Sequence, residues 1–292
     1  MSIFKVIILA IVQGLAELLP ISSSAHVIVA EKLMGLDPSS PQMTLLLVML
    51  HTGTMFAVIL FFRNSWKSAY FSSREAFRRF AVLVIWATLL TGIVGEALKK
   101  VIEKTLFHGA QKAEIEQLFN HLELIAPALA AAGVVILIAG LLERRHAARA
   151  TPDGAMSLMQ AGWMGVVQGL ALPFRGFSRS GSTISAGMLA GATKKRAEDF
   201  SFAMAVILTP AVVGLEALRL QRASHAAMAG GAAIDLKASL VSSALGAVFS
   251  FLAGLVALKW LSSWLESGRW YLFGIYCLVA AMFVYYLHAR GL

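Results

Sequence analysis

The chain has 292 residues, of which 58% are hydrophobic and only 14% charged, and its formal net charge at pH 7 is +9. This composition, with a mean hydropathy of +0.75, excludes an ordinary soluble domain and indicates an integral membrane protein. The basic residues do not indicate nucleic-acid binding, because they lie in short loops between apolar runs, where they set topology and meet anionic headgroups. The single cysteine, Cys277, excludes an intramolecular disulfide and a cysteine metal cluster.

The first apolar region, residues 3–34, is interrupted by a polar motif. The motif reads Gln13-Gly-Leu-Ala-Glu17-Leu-Leu-Pro20-Ile-Ser22-Ser23-Ser24-Ala-His26. Glycine, proline and clustered serines break or cap helices, so the region is predicted to form two half-helices that enter the membrane and return. Such backbone is tolerated where it is buried in protein or lines a cavity. We expect no cleavable signal peptide, since the apolar stretch after Lys5 runs into this motif without a small-residue cleavage site.

Three apolar runs follow, at about 43–62, 80–96 and 124–142, each close to the ~20 residues that a membrane span needs. The polar run His51-Thr-Gly-Thr54 lies inside the first of them. It either reaches the polar site or serves hydrogen bonding between helices. Residues 97–121 alternate charges with leucines, which favours an amphipathic helix on the membrane surface, with a solvated linker as the alternative.

A second interrupted region, residues 156–192, repeats the pattern of the first. Its motif reads Gln168-Gly-Leu-Ala-Leu-Pro173-Phe-Arg175-Gly-Phe-Ser178-Arg179-Ser180-Gly181-Ser182-Thr183. Three further apolar runs follow, at about 200–218, 238–258 and 270–288. Both motifs read Gln-Gly-Leu-Ala, then a proline, then a serine cluster, which suggests a single site built from two repeats.

The number of crossings decides the architecture. Each half crosses the membrane an odd number of times, so the second half enters from the opposite side. We therefore predict an all-α polytopic membrane protein with an inverted-topology repeat, in which each half is a re-entrant broken-helix hairpin plus three transmembrane helices. The chain, 1–292, is predicted to be a single integral membrane domain, with repeat 1 at about 1–142, a cytoplasmic loop at about 143–155 and repeat 2 at about 156–292.

Basic residues give the orientation. The loops 63–79 and 143–153, the segment 194–196 and the residues that flank the last short loop, Lys259 and Arg269, all fall on one side of the predicted topology. The positive-inside rule makes that side cytoplasmic. Both termini then face the exterior, and the first motif opens outward.

The first motif carries groups that suit proton and phosphate chemistry. Gln13 and Glu17 are four residues apart and project from one helix face. The carboxylate can bind a metal ion, accept a proton or position water, and the alternative is a polar pair that holds the hairpin together. The serines 22–24 can cap the next helix, whose N–H groups attract phosphates. His26 can serve as acid or base, although a lone histidine is more often structural.

The second motif places a guanidinium among hydroxyls and a glycine, just before another helix. Arg179 lies beside Ser178, Ser180, Gly181 and Thr183. The planar fork of arginine suits phosphate oxygens, and an arginine at membrane depth is expensive without an anionic partner. Phosphate binding is therefore favoured over the structural alternative, an internal ion pair of Arg179 with Glu17. Arg175 is either a second phosphate contact or a residue that reaches the interface.

These motifs resemble the undecaprenyl pyrophosphate phosphatase family that is linked to bacitracin resistance. The resemblance rests on Gln13-x-x-x-Glu17-x-x-Pro20-x-Ser22-Ser23-Ser24-x-His26 together with Gly176-x-Ser178-Arg179-Ser180-Gly181, and it extends over nearly the whole chain. It implies the same inverted repeat and removal of the terminal phosphate of the C55 lipid pyrophosphate, which regenerates the monophosphate carrier for wall synthesis. It also implies a divalent cation, Mg²⁺ or Ca²⁺.

By position, the resemblance implies four catalytic residues. They are Glu17, which is also the candidate metal ligand, the nucleophile Ser23, the acid and base His26, and the pyrophosphate clamp Arg179. The candidate substrate-binding residues are Gln13, Ser22, Ser24, Arg175, Ser178, Ser180, Gly181 and Thr183.

The chain departs from the family pattern at three places. Gln13 supplies one carboxylate fewer for a metal, and Ala25 stands where a glycine commonly precedes the histidine. In the second motif, Phe174 and Arg175 separate Pro173 from the following glycine, which are adjacent in the family. This two-residue insertion is expected to reshape the approach to the clamp arginine.

The leading hypothesis is a multi-pass enzyme of the bacterial cytoplasmic (inner) membrane that hydrolyses a polyprenyl pyrophosphate at a site open to the exterior. The attack comes either from Ser23, through a phosphoserine, or directly from water. The rival hypothesis is a transporter or flippase of a phosphorylated polyprenyl lipid, because broken-helix repeats also build transporters. The expected partners are the lipid substrate and membrane lipids, without nucleic acid, and a homodimer is an open option.

Overall fold

The computed structural model describes residues 2–37, 40–106, 122–147, 155–229, 236–266 and 269–291. Within these ranges every regular element is an α-helix, and there are ten helices. The first five are α1 (Ile3–Leu18), α2 (Ser23–Leu33), α3 (Pro41–Tyr70), α4 (Arg74–Leu106) and α5 (Leu122–Ala147). The last five are α6 (Leu158–Ala171), α7 (Arg179–Leu189), α8 (Lys194–Ala229), α9 (Leu236–Glu266) and α10 (Tyr271–Ala289). The prediction of an all-α protein is confirmed.

Five of the six predicted spans coincide with helices that are long and apolar enough to cross a membrane. These helices are α3, α4, α5, α9 and α10. The chain is therefore a multi-pass membrane protein. The sixth predicted span, 200–218, lies within α8, which does not meet the same criterion among the described residues. The crossing of α8 stays a prediction.

The two interrupted regions each form a pair of short helices. Helices α1 and α2 have 16 and 11 residues, and α6 and α7 have 14 and 11. At 1.5 Å per residue, even α1 is only about 24 Å long, short of the ~30 Å hydrocarbon core. Within each pair the two helices pack against each other. Each region therefore consists of two packed half-helices, as predicted, and their entry into the membrane and return stays a prediction.

The repeated Gln-Gly dipeptides lie at close contacts between helices of different halves. Helix α1 packs on α9, and α6 packs on α4. A Cβ atom at Gly14 would lie 2.5 Å from Cβ of Ala253 in α9. One at Gly169 would lie 2.8 Å from the carbonyl oxygen of Thr91 in α4. Only glycine permits these approaches, so each dipeptide fixes its hairpin against a long helix of the other half.

The segment that follows the second predicted span differs from the prediction. Residues 97–106 continue α4 to Leu106 and do not begin a separate surface helix. The physical reason is that no glycine or proline interrupts them, and an ion pair at 3.8 Å between Lys100 and Glu96 supports the helix one turn apart. The rest of that prediction, 107–121, lies outside the described residues, as do residues 148–153 of the loop predicted at 143–153, whereas residues 143–147 still belong to α5.

Candidate functional site

The tips of the two hairpins meet inside the helix bundle. The backbone N–H of Gly176 donates to Oγ of Ser24 at 3.3 Å, and Oγ of Ser180 donates to the carbonyl oxygen of Leu19 at 3.5 Å. A Cβ atom at Gly181 would lie 3.0 Å from the carbonyl oxygen of Pro20, so this position requires glycine. The prediction that the two motifs approach each other is therefore confirmed.

A serine with an unusual backbone conformation begins the second helix of each hairpin. Ser22 has φ 69° and Ser178 has φ 46°, and they are the only non-glycine residues with positive φ among those described. Such conformations are strained for residues with a side chain and occur where function or tight turns require them. Oγ of Ser178 caps α7 by accepting a hydrogen bond from the N–H of Gly181 at 3.3 Å. Ser22 does not make the side-chain cap that was predicted for the first motif, because its Oγ lies 3.3 Å from Oγ of Ser24 instead.

Glu17 is the centre of the site. Nη2 of Arg179 donates to Oε1 of Glu17 at 2.8 Å. The other carboxylate oxygen accepts hydrogen bonds from Oγ of Ser23 and, at 3.2 Å, from Nε2 of Gln13. Nε2 of His51 lies 3.6 Å from the same oxygen. Both partners of the ion pair are largely buried, with side-chain exposures of 14% for Glu17 and 26% for Arg179. One carboxylate thus holds groups from α1, α2, α3 and α7.

Two buried polar atoms at this centre, Nη1 of Arg179 and Oε1 of Gln13, have no hydrogen-bond partner among the described residues. A buried donor or acceptor that stays unsatisfied costs ~1–3 kcal/mol, so such atoms in a native protein call for an explanation. A guanidinium N–H suits a phosphate oxygen, and an amide oxygen suits a hard cation. The structural alternative from the sequence, the Glu17–Arg179 ion pair, is therefore present, and it leaves the N–H groups of Nη1 without a partner among the described residues.

His26 lies in a second cluster beside the first. Its Nδ1 lies 2.7 Å from the carbonyl oxygen of Ser22, and its Nε2 lies 2.7 Å from the hydroxyl of Tyr276 in α10. The two rings are stacked, with centroids 5.6 Å apart and planes at 13°. The histidine is therefore held at both nitrogens, whereas Ser23 is held by Glu17.

Several predicted binding residues are oriented into the protein. Oγ1 of Thr183 is fully buried, donates to the carbonyl oxygen of Arg179 at 2.7 Å and lies 2.6 Å from Oγ of Ser201 in α8. These bonds fix the first turn of α7, which carries the arginine, against α8. Contact of Thr183 and Ser180 with a substrate stays a prediction.

The inserted residue Arg175 lies near a carboxylate that sequence reasoning missed. Glu31 in α2 is completely buried, and neither of its oxygens has a hydrogen-bond partner in the described part of the chain. The charges that act on it are those of Arg175 and Asp37. The sequence did contain a signal for Glu31: it is a glutamate within an apolar half-helix, and a carboxylate inside the membrane is a functional candidate by default.

Two other contacts of the site involve residues far away in the sequence. The polar run at His51 does reach the site, which was one of its two predicted alternatives. Tyr276 was not predicted, because a single tyrosine in an apolar span is typical of a residue at the membrane interface.

Comparison with known proteins gives a family match over almost the whole chain. Residues 6–283 match the family described as bacitracin resistance protein BacA. The chain is 55% identical to undecaprenyl-diphosphatase 2 of Acinetobacter baylyi, over 95% of both chains. It is 32% identical to undecaprenyl-diphosphatase 2 of Burkholderia ambifaria and to undecaprenyl-diphosphatase 1 of Burkholderia pseudomallei, over 97% of this chain and 96% of each relative.

Proposed function

We propose that this chain, which belongs to the family of the bacitracin resistance protein BacA, hydrolyses undecaprenyl pyrophosphate to undecaprenyl phosphate and inorganic phosphate. The observation that carries the proposal is the largely buried ion pair of Glu17 with Arg179, whose Nη1 has no partner among the described residues. An unused buried donor inside the membrane suits an anionic group that reaches that depth. The names of the relatives, undecaprenyl-diphosphatase, support the same substrate.

The pyrophosphate binds between the two hairpin tips in this proposal, and the lipid tail lies between helices. Nη1 of Arg179 donates to an oxygen of the terminal phosphate. Helix α2 begins at Ser23, whose hydroxyl bonds Glu17, and Ser22 makes no side-chain capping bond to its first N–H groups within the described part. A helix N-terminus with exposed N–H groups attracts phosphate. These donors stabilise the charge that develops on the phosphoryl oxygens, which is the largest part of such catalysis.

Ser23 is the nucleophile. Its hydroxyl donates to Glu17, so the carboxylate accepts the proton as Oγ attacks the terminal phosphorus. A bond forms between Oγ and phosphorus, the bond from phosphorus to the bridging oxygen breaks, and undecaprenyl phosphate leaves. Water then attacks the phosphoserine, phosphate is released, and the proton on Glu17 returns to Oγ. Direct attack by a water bound at Glu17 is the alternative.

His26 is the candidate base for the water of the second step. It lies three residues after Ser23 in α2, so the two side chains share one side of the helix. A positioned acid or base typically contributes about 10²–10⁴-fold to such a step. The two acid–base groups then handle different protons: the carboxylate of Glu17 accepts the proton of Ser23, and the imidazole of His26 accepts the proton of water.

A divalent cation is part of the proposal, and the residues fit one. The carboxylate of Glu17 and the unpartnered Oε1 of Gln13 are oxygen ligands of the kind that Mg²⁺ or Ca²⁺ takes. No group of three His, Cys, Asp or Glu side chains forms a metal cluster within the described ranges. Phosphate oxygens and waters would therefore complete the shell, as is common for Mg²⁺. When bound, the ion would neutralise charge on the phosphate groups.

We further propose that the two halves form an inverted repeat in the cytoplasmic membrane, with the site open to the exterior. The element order supports this, since a hairpin and three long helices occur twice. Basic residues near the ends of α4 and α8 also lie together. Arg79 and Arg196 line one cavity, and Lys194 pairs with Glu143 of α5 at 2.7 Å. The end of the helix bundle that carries these residues would be cytoplasmic by the positive-inside rule. A homodimer stays a prediction that a mass measurement in detergent checks.

Phosphate release by the purified protein tests the activity. With undecaprenyl pyrophosphate and a divalent cation, the wild type should release inorganic phosphate, and Arg179→Ala should lower kcat/KM about 10³-fold. Arg78→Ala, at an exposed position of α4, is the control and should stay within about twofold.

The rival transporter hypothesis predicts a different result. If the wild type releases no phosphate with the cation present, the enzyme proposal fails, and movement of labelled lipid in vesicles becomes the test.

A chelator should abolish phosphate release and an excess of cation should restore it. Unchanged release in the chelator would refute the proposed cation alone.

A further inference from the structure

The contact between His26 and Tyr276 has no role in the steps above. We propose that Tyr276 is a positioning residue that fixes the tautomer and the orientation of His26 for proton transfer; this rests on the proposed function. The tyrosine comes from the last helix, and the histidine from the first hairpin, 250 residues away in sequence. The contact therefore ties the acid–base group of one half to a helix of the other.

The hydrogen bonds of His26 define its tautomer. The carbonyl oxygen of Ser22 can only accept, so Nδ1 at 2.7 Å from it carries the hydrogen. In the neutral ring Nε2 is then an acceptor, and the hydroxyl of Tyr276 at 2.7 Å donates to it. Which nitrogen of a histidine carries the proton is set by the bond that the other one makes. Here both nitrogens are held.

A hydroxyl is suited to both protonation states of the ring. When His26 is neutral, the tyrosine donates to Nε2, and when His26 is protonated, Nε2–H donates to the tyrosine oxygen. The histidine can thus gain and lose a proton at Nε2 while keeping its place. Phenylalanine would keep the stacked ring and lose this bond, so it separates the hydrogen bond from the packing.

Packing fixes Tyr276 independently of the histidine. The next residue, Cys277, donates its Sγ–H to the carbonyl oxygen of Pro20 at 3.5 Å, at the tip of the first hairpin. Gly274 packs so closely on α5 that a Cβ atom would lie 2.6 Å from the backbone nitrogen of Leu137. Nε1 of Trp270 donates to Oγ of Ser185 in α7 at 3.1 Å. These contacts fix the position of α10 along its axis and its rotation about that axis. The hydroxyl of Tyr276 is therefore preorganised beside His26, as a positioning group must be.

Tyr276 is 45% exposed, whereas Cys277 beside it is fully buried. The pair of rings therefore lies at the edge of the helix bundle. A water that donates to the tyrosine oxygen can pass a proton to His26 as the hydroxyl proton moves to Nε2, so the hydroxyl keeps its place. This location suits control of the hydrolytic water and not of Ser23, which Glu17 already binds.

A double-mutant cycle on phosphate release tests the proposal. A positioned acid or base typically contributes about 10²–10⁴-fold to the rate. Tyr276→Phe should remove part of this contribution, so kcat should fall about tenfold while KM stays within about twofold of the wild-type value. In the His26→Gln background the same substitution should change kcat by less than about twofold, because its partner is absent. Tyr285→Phe, at an exposed position of the same helix, is the matched control and should match the wild type.

Either of two kinetic results would overturn the proposal. One is wild-type kcat in Tyr276→Phe, and the other is an equal loss with and without His26. A spectroscopic arm is independent of activity: in protein with ¹⁵N-labelled histidine, the signals missing from His26→Gln identify the ring. The wild type should contain the Nδ1–H tautomer with a hydrogen-bonded Nε2, and Tyr276→Phe should shift Nε2. If Tyr276→Phe leaves the spectrum of the His26 ring unchanged, the positioning role is refuted. If the variant shows the shift but the wild type releases no phosphate, only the proposed function is refuted.

Discussion

The two hairpins have the same backbone and different chemistry. In each, an 11-residue helix begins directly after a buried serine with positive φ, at Ser22 and at Ser178. The residue that follows this serine is Ser23 in the first hairpin and Arg179 in the second. Two identical hairpins would bring like groups together at membrane depth, which is costly. The difference places an oppositely charged pair, Glu17 and Arg179, where the two tips meet.

The two Gln-Gly dipeptides differ in the same way. Nε2 of Gln13 donates to Glu17, four residues later, whereas the residue four after Gln168 is Leu172. Nε2 of Gln168 donates instead to Oγ1 of Thr91 at 3.4 Å, in a contact between helices. The glycines keep a packing role in both copies. Gln13 thus belongs to the polar cluster around Glu17, whereas Gln168 contributes to a contact between helices.

The largest effect is expected at the residue after each strained serine. Ser23→Ala removes the proposed nucleophile and should lower kcat about 10⁴-fold. Ser24→Ala is the matched control, since the hydrogen bonds of its Oγ go to Ser22 and to the N–H of Gly176 and not to Glu17, and it should stay within about tenfold. Phosphate release by both variants checks this. Activity of Ser23→Ala above a tenth of wild type would favour direct attack by water.

The next effect separates the charge of the second hairpin from its geometry. Arg179→Lys keeps the positive charge but loses the planar fork, so one nitrogen must serve both Glu17 and the phosphate. We expect kcat/KM to fall about 10²-fold. Arg196→Lys, at the other end of the bundle, should change it by less than about twofold. Equal activity of Arg179→Lys and wild type would mean that only charge matters.

A smaller effect tests what the hairpins share. Gly14→Ala and Gly169→Ala should each destabilise the protein by about 1–3 kcal/mol, because the new methyl group overlaps the facing helix. Gly92→Ala is the control, since no described atom lies within 4 Å of its Cβ position. Thermal unfolding in detergent should give a lower Tm for the first two and not for the third. Tm values equal to the control would contradict the packing role.

The smallest effect concerns the insertion that only the second hairpin has. Glu31→Gln removes the buried carboxylate on which Arg175 acts and should raise KM about threefold with kcat unchanged. In an Arg175→Ala background the same substitution should have no further effect on KM. A threefold rise that persists without Arg175 would mean that Glu31 acts through another group.

Much of this site could be predicted from the sequence because its signals are local. Prolines, glycines and serines within apolar runs indicated both hairpins, and the cost of an unpaired charge in the membrane raised the Glu17–Arg179 ion pair as the alternative to phosphate binding. The open question at His51 could not be decided in this way. Its side chain reaches Glu17 only because α3 packs beside α1.

The remaining differences arise where long-range packing decides. Tyr276 reaches His26 because Gly274 lets α10 approach α5, which no spacing within the motifs reveals. The first part of the predicted surface helix, residues 97–106, is the end of α4, because charges one turn apart extend a helix as well as they begin one. Glu31 escaped notice because it lies outside both motifs.

The most direct test of the shared site is the kcat/KM of Glu17→Gln combined with Arg179→Gln, compared with each single variant. If the two hairpins act through one ion pair on one substrate, the kcat/KM of each single variant should fall about 10³-fold. The kcat/KM of the double variant should then be no lower than that of the less active single variant. Losses that multiply, or either single variant with wild-type phosphate release, would contradict the account.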